Sequence, residues 1–450
     1  MLTPAPATFS ALRHRNFRLF LGGQFLSLCG TWVQQVAHAW LVLELTNSAF
    51  AVGLVSTLGS LPILLFTLYG GVVADRVDRH RFLIVLQSLM LIEALVLGSL
   101  VALDRITVEW VMILAVLFGL LAAFEVPVRQ AFTADMVVKD DLMNAIALNS
   151  SAFNLARVVG PTIAGLLIAG VGIAGCFFVN GVSYLAVLAG LLRMSFDAAP
   201  QVSEHRDVRT ALREGFGYVL GRHLPRRLAI LIGGFSVFGF PFMTMAPVLA
   251  RDVLGVGATG YAALIASIGL GAAAAALFLA GWGTRFRKNR LLAWTSVLFG
   301  VALVLAAVLH NYVASLILFT GAGWTMAANG ILANTMLQIH APDQLRGRVM
   351  GVYSFLVLGL APVGSLQAGW VSEHLGVEWS IGLGGLVCAT IAAWAIWTLQ
   401  PGQVAAETGA SERERARTGE NGREWTRTGE NGREQSARRP GDLSRGESSA

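Results

Sequence analysis

The sequence predicts an all-α polytopic membrane protein: twelve transmembrane helices in two pseudo-symmetric six-helix bundles. Three observations predict it. Hydrophobic residues make up 55% of the 450 and charged residues only 13%, with a mean hydropathy of +0.64, too little charge to cover a soluble chain of this size. Apolar runs of about 20 residues, the length that crosses roughly 30 Å of hydrocarbon, recur along the first 400 positions. A long polar segment divides six of these runs from six others.

The arm 1–16 is polar and basic, and the run behind it is too long for the core of a cleavable signal, so no such signal is expected. The first bundle, 17–194, holds spans at about 17–43, 48–74, 82–103, 108–133, 143–170 and 174–194. The central loop 195–227 is polar. The second bundle, 228–399, holds spans at about 228–250, 259–282, 291–310, 312–337, 348–372 and 378–399. Short links such as LTNSA and LGVGATG make neighbouring spans antiparallel. The tail 400–450 carries a near-repeat, RTGENGREWT then RTGENGREQS, with nine Arg balanced by nine acids. It has almost nothing to bury, so a disordered cytoplasmic tail is expected, with partner binding as the alternative.

Lysine and arginine orient the spans. With the N-terminus inside, 20 basic residues fall in the arm and the inner loops, and only Arg105 and Arg251 in the outer ones. Both termini are therefore expected in the cytoplasm, with the chain spanning the plasma membrane. Cys29, Cys176 and Cys388 all fall in or beside spans, which suits packing better than disulfides.

Several classes are excluded by what the sequence lacks. The net charge of +6 is spread between spans rather than gathered into a patch, so no nucleic-acid partner is expected. A phosphate-cradling loop needs a lysine in a glycine-rich motif; the chain has two, Lys139 and Lys288, and neither fits, so no nucleotide is expected. No enzyme motif of the H-E-x-x-H or G-x-S-x-G kind is present, and neither a metal nor a cofactor is expected.

The halves echo one another. VKDDLMNAIALNS before span five matches APDQLRGRVMGVYS before span eleven, and each leads into a helix with a proline near its middle, Pro161 and Pro362. GGVVADRVDRHR after span two has a counterpart in AGWGTRFRKNR after span eight. Such internal duplication is common among secondary transporters. GGVVADRVDRHR also resembles the loop signature of the major facilitator superfamily, with Gly71, Asp75, Arg76 and Arg79 in register and Asp78 in place of the second glycine. FSALRHRNFRLFLGGQFLSLCGTW, VPVRQAF and LMNAIALNSSAFNLARVVGPTIAGLLI are similar to the export branch that includes the enterobactin exporter and macrolide efflux proteins.

The resemblance implies the major facilitator fold, a small-molecule substrate, and a central cavity lined by spans one, four, seven and ten. It also implies that Asp75 approaches the N-terminal end of span eleven and latches the cytoplasmic side, with Arg76 and Arg79 pairing with acids such as Asp135. The plainer reading of those arginines is topology alone. On span one, Gln24, Ser27, Thr31, Gln35 and His38 form a stripe facing either a cavity or a helix seam. On span four, Glu125 and Arg129 are i, i+4 neighbours flanking Pro127. They make either a neutral pair that holds the helix or, with His38, a proton-coupling site. Arg157, Gly160, Pro161 and Gly165 incompletely resemble an antiporter signature, or serve close helix packing.

Span seven offers Phe235, Phe238, Phe242 and Met245 along one stripe; span ten offers Trp324, Asn334 and Gln338 on one side, with Thr325 and Asn329 on another. These are lipid-facing or core positions, or else one wall of the cavity. The expected function is a monomeric, proton-coupled exporter of small amphipathic molecules, siderophore- or macrolide-like. An importer of a small organic solute is one alternative, and a non-transporting scaffold or receptor another.

Overall fold

The computed structural model describes residues 9–194, 208–342 and 345–398. The tail with its repeat and residues 195–207 of the expected central loop lie outside the described residues, while the rest of that expected loop, 208–227, is largely helical. The first half comprises α1 (Arg15–Thr46), α2 (Ala49–Ala74), α3 (Arg79–Ala102), α4 (Val108–Asp135) and α5 (Leu142–Leu192). Short polar side chains open the helices after tight loops. The Ser48 hydroxyl accepts from the Ala51 N–H, and the Asp78 carboxylate accepts from the Arg81 N–H, satisfying donors that a first turn leaves unpaired. Helix α5 is two crossings, 142–171 and 173–192, broken where Gly172 takes φ 75°, a conformation that costs glycine little.

The second half begins with α6 (Val208–Gly221) and α7 (His223–Gly234). A π-helical turn (Phe235–Gly239), α8 (Phe242–Val248) and a second π-turn (Leu249–Val253) complete the seventh crossing. Next come α9 (Ala258–Trp282), α10 (Lys288–Val308) and α11 (Tyr312–His340). The eleventh crossing is α12 (Arg346–Ser354), a π-turn (Phe355–Gly359) and α13 (Ala361–Leu375), and α14 (Val377–Thr398) closes the bundle.

Ten helical stretches among the described residues are long and apolar enough to cross a membrane. One of them, 139–192, is the pair divided at Gly172. Helix α1 is not among the ten, although its 32 residues are long enough; Gln24, Ser27, Gln34 and Gln35 interrupt its apolar run. Among the described residues, adding α1 and dividing 139–192 at Gly172 gives twelve helical arms long enough to cross. Within each half, small residues set the spacing, as expected where lipid supplies no hydrophobic drive between helices. A Cβ on Gly323 would collide with the Ile268 carbonyl, and one on Gly271 with that of Thr320, so α9 and α11 touch backbone to backbone.

Candidate substrate cavity

A cavity of about 350 Å³ lies where the halves meet. Helix α1 lines it with Trp32, Gln35 and His38, α2 with Ser56 and Ser60, and α3 with Glu93; the second half adds Met243, Thr244, Tyr261 and Ile265. The titratable groups His38 and Glu93 are on the first-half side, among apolar residues such as Val42, Val55 and Phe118, and the second half adds the Thr244 and Tyr261 hydroxyls.

Glu93 is 3% exposed and pairs with no cation among the described residues. Its carboxylate accepts from Gln34 Nε2 at 3.0 and 3.4 Å. The Gln34 carbonyl in turn accepts from Asn180 Nδ2 at 2.7 Å, and the Asn180 carbonyl accepts from the Ser183 hydroxyl at 3.1 Å. These donors, drawn from α1 and α5, form a directed chain that ends on Glu93. An isolated charge within a membrane costs on the order of 3 kcal/mol even by insertion scales, so a lone carboxyl supported only by an amide is a natural place for a proton to come and go. Glu125, also buried, is handled differently: Arg129 Nε donates to it at 2.8 Å and Gln87 Nε2 at 3.3 Å. This is the i, i+4 pair seen in the sequence, and it does not line the cavity. The stripe on α1 divides. Gln35 and His38 reach the cavity, whereas Gln24 and Ser27 are buried, and the Thr31 hydroxyl donates to the Ser27 carbonyl.

The second-half residues expected at the cavity lie elsewhere. Phe242 is 2% exposed and packs edge-on to Phe299 and Phe319 in the core. Phe238 is half-exposed and does not line the cavity. Trp324 joins Phe278 of α9. Asn329 sits in the α10–α11 seam, where its side-chain carbonyl accepts from the hydroxyls of Thr295 and Ser296. Asn334 accepts from Gln338 one turn on. On span seven, Phe235 and Phe242 both pack on Phe299 and Met245 is fully buried, so these residues of the stripe share one face, but that face turns to the core. Met243 and Thr244 line the cavity instead.

Hydrogen bonds between the halves gather at the end carrying the α1–α2 loop. Glu373, at the end of α13, accepts from the Ser48 hydroxyl and the Phe50 N–H, both at 3.0 Å, and so caps α2 from the other half. Arg251 donates to the Leu43 carbonyl at 3.1 Å and to Asn47 Oδ1 at 2.7 Å. Trp40 and Tyr261 stack with ring centroids 5.9 Å apart. Deeper in, Ser56 meets Ser365 at 3.2 Å and Thr57 donates to the Pro362 carbonyl at 3.0 Å. Gly53 packs against Gly369 so closely that a Cβ would stand 2.5 Å from the Ser365 carbonyl oxygen.

In comparisons with known proteins, a family described as transmembrane secretion effector matches residues 6–416. The chain belongs to that family of major facilitator transporters. The staphyloferrin A transporter of Staphylococcus aureus is 26% identical over 381 residues, covering 83% of this chain and 94% of that one. The enterobactin exporter EntS of Escherichia coli O1:K1 is 27% identical over 361 residues, 79% of this chain and 86% of that one. Among solved structures, a bacterial homologue of the human lysosomal transporter Spinster superposes with a TM-score of 0.70 at 14% identity, covering 85% of this chain and 96% of that one. The chain is thus a multi-pass membrane protein of a transporter family.

In this secretion effector the superfamily's loop signature is built around Arg79. Its Nη1 donates to Asp135 at 2.9 Å, its Nε to the Ala74 carbonyl at 2.8 Å, and its Nη2 to Asp75 at 3.4 Å. Asp75 is thus tied to its own hairpin in this state. A Cβ on Gly71 would meet nothing within 4 Å, whereas one on Gly70 would strike the Ala123 carbonyl, so the close approach of α2 to α4 falls at Gly70. Of the α5 motif, Gly160 packs on α1 at Trp32 and Cys29, and Gly165 meets Ala262 of α9 across the interface. Pro161 and Gly165 line an apolar groove between α5 and α9.

Proposed function

We propose that this transporter is a proton-coupled exporter of small amphipathic molecules, monomeric in the plasma membrane with both termini in the cytoplasm. The 20-to-2 asymmetry of basic residues supports the orientation. On that orientation the bonded α1–α2 end is the outer one, and the conformation described faces inward. The halves rock about the cavity. Glu373 caps α2 when the outside is shut, and Asp75 takes the equivalent place at the start of α12 when the inside is shut. The staphyloferrin A and enterobactin relatives support a siderophore-like solute.

The observation that carries the reading is the uncompensated Glu93 carboxyl on the wall of a cavity bonded shut at one end. Once solute has left to the outside, a proton taken up from there discharges Glu93, and its release inside readies the cavity for the next solute, while Glu125, already paired with Arg129, holds the helix. The test is solute accumulation in everted vesicles under an imposed pH gradient. Glu93→Gln is expected to abolish coupling while Glu125→Gln retains it. Full coupling in Glu93→Gln would move the proton site elsewhere, and loss only in Glu125→Gln would place it on the α4 pair.

A further inference from the structure

Arg157 stands near the middle of the first crossing of α5, about 22 Å along the helix from Leu142 at 1.5 Å per residue. No described carboxylate pairs with it. Its Nε is buried without a hydrogen-bond partner. Its Nη2 reaches only Met243 Sδ, at 3.9 Å, and its Cζ lies 5.8 Å from the centre of the Trp32 ring. Both of those neighbours line the cavity, Trp32 from the first half and Met243 from the second. The Arg157 backbone itself is pressed against Gly269 of α9, so the residue sits on the seam between the halves.

A guanidinium that only fastened helices together would end on carboxylates or carbonyls, whose geometry matches its fork. This one ends on a thioether and an aromatic face, both weak partners, so its donors are left little used at the edge of a cavity that its two neighbours line. Phe153, one turn before Arg157 and 43% exposed, sets its ring 6.4 Å from that of Trp32 at 60°. A flat apolar body is thereby offered a place beside the cation.

Taking the exporter reading as its basis, we propose that Arg157 and Trp32 form the subsite for the anionic group of an aromatic solute, a carboxylate held by the guanidinium with its ring against Trp32. The subsite is completed by Met243 only when the halves are arranged as here, so the solute's charge is recognised in the inward-facing state. This favours organic acids over the cations and neutral drugs that an apolar cavity alone would take.

The test is calorimetric binding of three probes to the full-length protein in lipid nanodiscs: naphthoate, its neutral amide, and naphthylmethylammonium. Naphthoate is expected to bind about tenfold or more tightly than the amide, the value of one charge-assisted bond, and the ammonium least. Arg157→Gln should bind acid and amide alike, Arg157→Lys should keep the preference for the acid, and Trp32→Ala should weaken acid and amide together. Equal affinity for acid and amide in the wild type, an undiminished preference in Arg157→Gln, or no binding of any probe would overturn the subsite. Binding is read without transport, so a protein that selects the acid but does not export would refute only the exporter reading.

Discussion

In the orientation proposed above, closing the outer end depends on α2 and α13 lying nearly backbone to backbone at Gly53 and Gly369, which makes Gly53→Ala an informative perturbation. The new Cβ would stand 2.5 Å from the Ser365 carbonyl oxygen and 2.8 Å from Gly369 Cα. Ordinary contact starts at 3.4 Å, so the helices must part by 0.9 Å, the difference between 3.4 and 2.5. Such a shift takes Ser56 to Ser365, now 3.2 Å, and Thr57 to the Pro362 carbonyl, now 3.0 Å, out of hydrogen-bond range. Two interhelical bonds inside a membrane are worth about 1–2 kcal/mol together. That shifts the balance between outer-closed and outer-open states by about five- to thirtyfold. The assay is labelling of a single cysteine placed at Gln35, a cavity position, with Cys29, Cys176 and Cys388 replaced. A membrane-impermeant maleimide applied from outside should react about five- to thirtyfold faster in Gly53→Ala than in the parent. Equal rates would show that the glycine contact does not hold the outer end shut.

Other substitutions separate the cavity from its supports. Glu373→Ala removes two bonds at an exposed helix end, so about 1 kcal/mol and a smaller rise in outside labelling are expected. Phe242→Ala should lower thermal stability in detergent by about 3–5 kcal/mol, and leave solute affinity per folded molecule unchanged, because the ring packs in the core. Asn329→Ala strips the acceptor shared by Thr295 and Ser296 and should cost about 1–3 kcal/mol in the same melt, again without altering affinity. A changed affinity in either variant would return that residue to the binding surface.

What a sequence can disclose about this molecule is bounded by the physics of helices. Span positions, the hairpin at Gly172 and the Glu125–Arg129 pair are readable because hydropathy and i, i+4 spacing are local properties. The Arg79–Asp135 contact is readable because both residues fall in short loops of one half that the sequence places at the same end. Gln34 is not. It neighbours Gln35 in sequence, yet its partners Glu93 and Asn180 lie 59 and 146 residues away, and no periodicity reports which of two adjacent glutamines meets another helix. On span seven, face counting groups Phe235 with Phe242, and both do meet Phe299, but periodicity does not report that this aromatic face turns to the core rather than to the cavity. On span ten, Asn329 is polar for the sake of its neighbours on α10, a demand that emerges only when both helices are in place.

The most direct measurement is accumulation of a fluorescent aromatic acid in everted vesicles carrying the wild-type protein, with the lumen made acidic. The account predicts uptake that rises with the gradient, vanishes when a protonophore collapses it, and is missing from vesicles without the protein. Uptake of equal extent with no gradient imposed would contradict it.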